Sequence, residues 1–119
     1  MESKLAVSAL AALAHEGRLA AFRLLVRAGR EGMAAGVIAK ALGVLPNTLS
    51  ANLTILSHAG LVESRRAGKS IIYTVRYAEM TALLQFLMED CCAGSSDICA
   101  PLVDIALSCG CEEEATIHA

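Results

Sequence analysis

"AGVIAKALGVLPNTLSANLTILSHAGLVESRRAGKSIIYTVR", residues 35–76, changes its hydrophobic period once, and that change decides the fold. Residues 35–42 (AGVIAKAL) fit a short helix, with Gly43 placed to end it in a left-handed turn. Pro46 then marks the first turn of a second helix over residues 47–59. Leu49, Leu53 and Leu56 share one face of it, and Gly60 stops it. Beyond Gly60 the pattern becomes strand-like. Leu61–Arg66 and Ser70–Arg76 read as two β-strands joined by an Ala67-Gly68-Lys69 turn. Two short helices on a tight glycine turn, followed by a β-hairpin, predict a winged helix-turn-helix. The expected fold class is mainly α with a small β-hairpin.

Working outward, residues 3–14 (SKLAVSALAALA) place Leu5, Ala9, Leu10 and Leu13 on one apolar stripe of a helix. His15-Glu16-Gly17 interrupts it. Residues 18–27 form a second helix, with Leu19, Phe22 and Val26 expected inward and Arg18, Arg23 and Arg27 outward. Residues 28–32 are a turn. Helix returns over residues 78–90, where Met80, Leu83, Leu84, Leu87 and Met88 make a broad apolar face. Residues 100–108 (APLVDIALS) fit a short sixth helix with Pro101 in its first turn. The expected organisation is a single domain over residues 1–111 and a disordered tail over 112–119.

The chain has 119 residues, enough for one modest core. Although 55% of residues are hydrophobic, no apolar run approaches the roughly 18–20 residues of a membrane span. The N-terminus reads as an amphipathic helix rather than a signal peptide. The expected compartment is the cytoplasm, where thiols stay reduced, so five cysteines argue for metal or redox chemistry over a disulfide framework. The formal net charge of −2 conceals an asymmetry. Residues 1–76 hold all ten Lys and Arg against four acids, a net +6; residues 77–119 hold eight acids and no base, a net −8. A basic front suits a polyanion partner, and the acidic tail does not.

In a helix-turn-helix the second helix enters the major groove, its first turns toward the bases. Asn47, Thr48, Ser50, Ala51 and Asn52 are therefore the expected reading residues. Asn matches adenine with two hydrogen bonds, and Ser or Thr serves bases or phosphates. Arg65, Arg66 and Lys69 on the hairpin are placed for phosphates or the minor groove. Three motifs run together here: "ALA-x-x-x-RL" at 12–19, "LS-x-x-L-x-x-L-x-x-AGLV" at 49–62, and "R-x-G-[KR]-x-x-x-Y" at 66–73. Over residues 5–90 the chain resembles the ArsR/SmtB metal-sensing repressors. The resemblance implies a homodimer through residues 3–14 and 78–90. It implies binding to an inverted-repeat DNA operator near the protein's own promoter, and release when a thiophilic ion binds. Two positions depart from the family: Asn52 stands where His is common, and Leu45 replaces the usual Ser at the helix cap.

The best-known arsenic-sensing members carry a Cys-x-Cys pair on the third helix, which Met33–Leu42 lacks. The thiols lie instead in "EDCCAGSSDIC", residues 89–99. Soft thiolates select soft ions, and trivalent arsenic or antimony favours three sulfurs in a pyramid. Cys91, Cys92 and Cys99 supply three within nine residues, bridged by a Gly-Ser-Ser turn. The expected function is a metalloid-responsive repressor with As(III) or Sb(III) as inducer. Cys109 and Cys111 form a second pair, for a four-sulfur Zn²⁺ or Cd²⁺ site, a second ion or no role. His15, His58 and His118 read as surface or capping residues rather than ligands. The alternatives are a Cd²⁺/Zn²⁺-responsive repressor, a thiol-redox repressor in which the cysteines form a disulfide, and a thiol-based ion carrier. No Cys-x-x-Cys, Cys/His pairing or Gly-rich phosphate loop supports an enzyme.

Overall fold

A computed structural model describes residues 1–89, 100–102 and 104–105. Five helices and three strands follow in order: α1 (Ser3–Leu13), α2 (Glu16–Ala28), β1 (Met33–Ala34), α3 (Ala35–Leu42), α4 (Pro46–His58), β2 (Val62–Ala67), β3 (Ser70–Val75) and α5 (Tyr77–Met88). A 3-10 turn, Gly29–Glu31, links α2 to β1. Residues 100–102 and 104–105 are helical, within the stretch expected as a sixth helix. By its contacts the chain divides into two compact units, Met1–Phe86 and Leu87–Ala119. Every buried apolar side chain among the described residues belongs to the first, from Ala6 to Leu83. The tail over 112–119 lies outside the described residues. Among the described residues no single helix is long and apolar enough to cross a membrane.

The first helix turns a different face inward from the one expected. Ala6, Ala9 and Ala12 are buried, whereas Leu5 is 56% and Val7 65% exposed, and Leu10 is exposed too. Of the expected stripe, Ala9 is buried and Leu13 packs partly against the core. Alanines three apart make a narrow seam that admits the helices behind, and the bulky side chains are left outside.

At the α1–α2 corner the two helices meet at 100°. The Arg18 Nε donates to the Ala12 carbonyl at 2.6 Å, so Arg18 is held rather than turned freely outward. His15 caps α2: its Nδ1 accepts from the backbone N–H of Gly17 at 3.1 Å and of Arg18 at 3.3 Å. The cap starts α2 at Glu16, two residues before the expected Arg18. With that phase Ala21, Phe22 and Leu25 are buried, and Leu19 and Val26, expected inward, are exposed. Replacing His15 with Ala is expected to cost about 1 kcal/mol, the usual worth of an N-cap. Asp at the same position should restore the loss, since a carboxylate caps and also favours the helix N-terminus. Urea melts of the three proteins check both.

Val62, β2's first residue, pairs with Val75, and Ala67 pairs with Ser70, so the wing turn is only Gly68-Lys69. The hairpin is joined by β1, which the sequence pattern did not predict. Met33 pairs with Tyr73 and Ala34 with Ile72, all strands antiparallel in the order β1-β3-β2. Gly32 makes that approach feasible. Its φ is 75°, and a Cβ there would strike the Tyr73 carbonyl oxygen and lie 2.5 Å from Thr74 Cγ2.

α3 and α4 end in the same hydrogen-bonded turn. Val44 N–H reaches the Ala39 carbonyl at 3.0 Å and Gly43 N–H the Lys40 carbonyl at 3.3 Å. Leu61 N–H reaches Leu56 at 3.1 Å and Gly60 N–H reaches Ser57 at 3.0 Å. These stops set α4 over the core of Leu25, Ile38, Leu49, Leu53, Leu56, Leu61 and Val62.

Candidate nucleic-acid interface

The site begins at the α3–α4 turn. Pro46 occupies the first turn of α4, and Leu45 precedes it without a side-chain cap. Buried Leu49, Leu53 and Leu56 fix the helix against α2 and α3. The opposite face is therefore presented outward: Asn47, Thr48, Ser50 and Ala51 are all exposed. Asn47 and Thr48 bring hydrogen-bonding groups, and Ala51 leaves room for a groove edge.

Asn52 departs from expectation. It is 7% exposed and lies on the buried face with Leu49, Leu53 and Leu56. A Cβ at Gly17 would come within 3.0 Å of its Nδ2, so the amide sits against the start of α2. Positions 49, 52, 53 and 56 follow the helical period, and that period carries Asn52 inward. Asn52 is thus a packing residue between α4 and α2 and not part of the outward face.

The same period identifies one residue the sequence reading missed. Ile55, four after Ala51, is an exposed apolar side chain on α4 and borders a crevice with Ser8, Ala11 and Ala12 of α1. Thr54 is exposed as well, but its hydroxyl donates to the Ser50 carbonyl at 2.9 Å.

On the wing, Arg65, Arg66 and Lys69 are exposed, yet they do not act as one patch. Cross-strand partners share a sheet face. Arg66 pairs with Ile71 and so shares its face with Ser64 and Tyr73; Arg65 pairs with Ile72 and shares the other with Glu63 and Thr74. Tyr73 lines a crevice with Pro46, Leu49 and Ser50 of α4, so Arg66 lies on the α4 side of the sheet. Lys69, at the tip, borders a groove with the first residues of α3. Arg65 is turned away and its Nη2 donates to the Glu31 carbonyl at 2.9 Å. The outward face of α4, Arg66 and Lys69 all belong to residues 1–76, which carry net +6.

The expected thiol site cannot be placed on this frame. Cys91, Cys92, Cys99, Cys109 and Cys111 all lie outside the described residues. Among the described residues no three His, Cys, Asp or Glu side chains gather as metal ligands.

Residues 13–65 match a helix-turn-helix domain family. No curated protein sequence matches the chain. Solved structures do. The homodimeric winged helix-turn-helix DNA-binding domain of Mb0332 from Mycobacterium bovis, described as a possible ArsR-family transcriptional regulator, is 34% identical. That match covers 73% of this chain and 81% of that one, with a TM-score of 0.58. An ArsR-like transcriptional regulator from Rhodococcus sp. RHA1 is 29% identical over 87% of this chain and 93% of its own, with a TM-score of 0.65. The transcriptional repressor BigR from Xylella fastidiosa is 32% identical over 69% and 81%, with a TM-score of 0.55. With this fold, this outward helix face and relatives spanning most of both chains, the chain belongs to the ArsR family of winged helix-turn-helix transcriptional regulators, DNA-binding proteins and not enzymes.

Proposed function

We propose that this protein is a homodimeric repressor that holds an inverted-repeat operator and releases it when trivalent arsenic or antimony binds Cys91, Cys92 and Cys99. The observation that carries the reading is the triad of cysteines within nine residues, beginning three residues after α5 ends at Met88. An ion drawing those thiolates together acts on the chain just past α5. Repression is supported by the likeness to BigR, described as a transcriptional repressor. A dimer is supported by the homodimeric relative and by the apolar side chains left exposed on α1 and α5, Leu5, Val7, Leu10 and Leu84 among them. Each protomer contributes α4 to one major groove, and the two heads must keep half-sites about one helical turn apart. Reshaping the chain after α5 would disturb that register. Allosteric couplings of about 1–3 kcal/mol correspond to roughly 5–150-fold loss of operator affinity.

The test is fluorescence anisotropy on a labelled promoter fragment from the protein's own gene, under reducing conditions. As(III), Sb(III), Cd²⁺ and Zn²⁺ are added to wild type and to Cys91→Ser, Cys92→Ser and Cys99→Ser. Wild type should release DNA with As(III) or Sb(III), and the three variants should stay bound. If all four proteins respond alike, the triad is not the sensor. Release by Cd²⁺ or Zn²⁺ alone would point to a site that includes Cys109 and Cys111. Release by peroxide without any metal would make the trigger redox.

A further inference from the structure

The wing has a second face, and it is built differently from the one beside α4. Behind the sheet lies an open groove of about 590 Å³, bordered by Arg30, Glu63, Arg65, Thr74, Arg76 and Tyr77. Three guanidinium groups converge there from three parts of the chain: the 3-10 turn, β2 and the end of β3. Their neighbours engage them only in part: Arg76 in two long ion pairs and Arg65 through one donor. Arg76 has carboxylates near it, Glu63 at 3.9 Å and Glu79 at 4.0 Å, both beyond hydrogen-bond reach. Arg65 spends one donor on the Glu31 carbonyl. Arg30 is exposed, and no side-chain partner for it is seen among the described residues. The groove's own lining carries Arg30, Arg65 and Arg76 against Glu63, a net +2, and Glu79 beside Arg76 lowers it to +1.

We propose that this groove binds a small anion carrying at least two negative charges, of the phosphate-monoester or pyrophosphate class. Planar guanidinium forks match phosphate oxygens in pairs, and several around one concavity bind more than a single surface arginine can. The Thr74 hydroxyl adds a neutral donor at the same edge. The register argues for a free anion over the DNA backbone. Arg65 occupies the sheet face opposite Arg66 and Tyr73, so the groove opens away from the side that carries α4. The site is independent of the thiol-sensing reading, since it holds no cysteine and lies within the chain up to the first turn of α5.

Isothermal titration of the full-length protein with pyrophosphate and with inorganic phosphate, at ionic strength matched with chloride, tests the proposal. Pyrophosphate should bind. Arg30→Ala and Arg76→Ala should each weaken it about tenfold, the scale of a lost charge-assisted contact. Glu63→Gln should tighten it, because a competing carboxylate is gone. Arg30→Ala removes an exposed side chain and should melt like wild type, which keeps the result readable if Arg76→Ala is destabilised. In parallel, affinity for a promoter duplex is measured for the same variants and should be unchanged. Absence of pyrophosphate binding, or binding unaltered in both Arg variants, overturns the proposal. So does loss of duplex affinity in Arg30→Ala without any binding of free anion, which would assign the groove to a DNA phosphate.

Discussion

Gly32→Ala is expected to lower the free energy of unfolding by about 3 kcal/mol or more. Two costs add. The backbone at Gly32 has φ 75° and ψ −166°, a region occupied almost only by glycine, at about 1–3 kcal/mol for another residue. The new methyl would also strike the Tyr73 carbonyl oxygen, with Ile72 Cγ2 only 2.9 Å away. Backbone oxygen cannot rotate aside as a side-chain end can, so β1 or β3 must shift, and overpacking of this sort costs about 1–3 kcal/mol. Gly29 supplies the control. Its φ is also 75°, but a Cβ there meets nothing within 4 Å. Gly29→Ala should therefore show the backbone cost alone. Urea denaturation of both variants separates the two; equal losses would mean that the contact between Gly32 and β3 is looser than described.

Ala51→Glu is expected to abolish measurable operator binding while leaving the melting curve near that of wild type. Ala51 is exposed at the middle of the outward face of α4, so a longer side chain meets no protein. In the groove it would bring a carboxylate among phosphates and base edges rich in acceptors. Like-charge contacts in an interface cost several kcal/mol, and about 3–4 kcal/mol corresponds to a loss of two to three orders of magnitude. Anisotropy at fixed salt measures it, since phosphate-driven affinity varies steeply with ionic strength. Near-normal binding by a folded Ala51→Glu protein would remove α4 from the groove and with it the operator-binding reading.

The helix-turn-helix was legible because its signals are local. Gly43, Pro46 and Gly60 punctuate α3 and α4 within one or two residues of their bounds, and each acts on its own backbone. β1 was not legible, since a two-residue strand has no period to detect and exists only through its pairing with Tyr73 and Ile72. The α1 face was misjudged for a related reason. Leu5 and Leu10 outrank alanine in hydrophobicity, but the corner held by His15 and Arg18 admits only a narrow seam. Side-chain direction decided the rest. Asn47, Thr48, Ser50 and Ala51 are exposed, whereas Asn52 falls one step around the helix and is buried. Arg65 and Arg66 are adjacent in sequence, and the alternation of a strand sends them to opposite faces. For the cysteines the legible part is composition and spacing alone, because they lie outside the described residues.

The pairing of Met33 with Tyr73 ties together two points forty residues apart, and α3, α4 and β2 all lie between them. Topologically, α3 and α4 are the contents of a noose whose knot is the β1–β3 ladder. Closing a noose of that size costs chain entropy, so the ladder is among the non-local contacts that slow folding rather than speed it. The segment that matches the helix-turn-helix domain family, residues 13–65, stops before β3. Cut there, it would keep α3 and α4 and lose the strand that closes the noose around them.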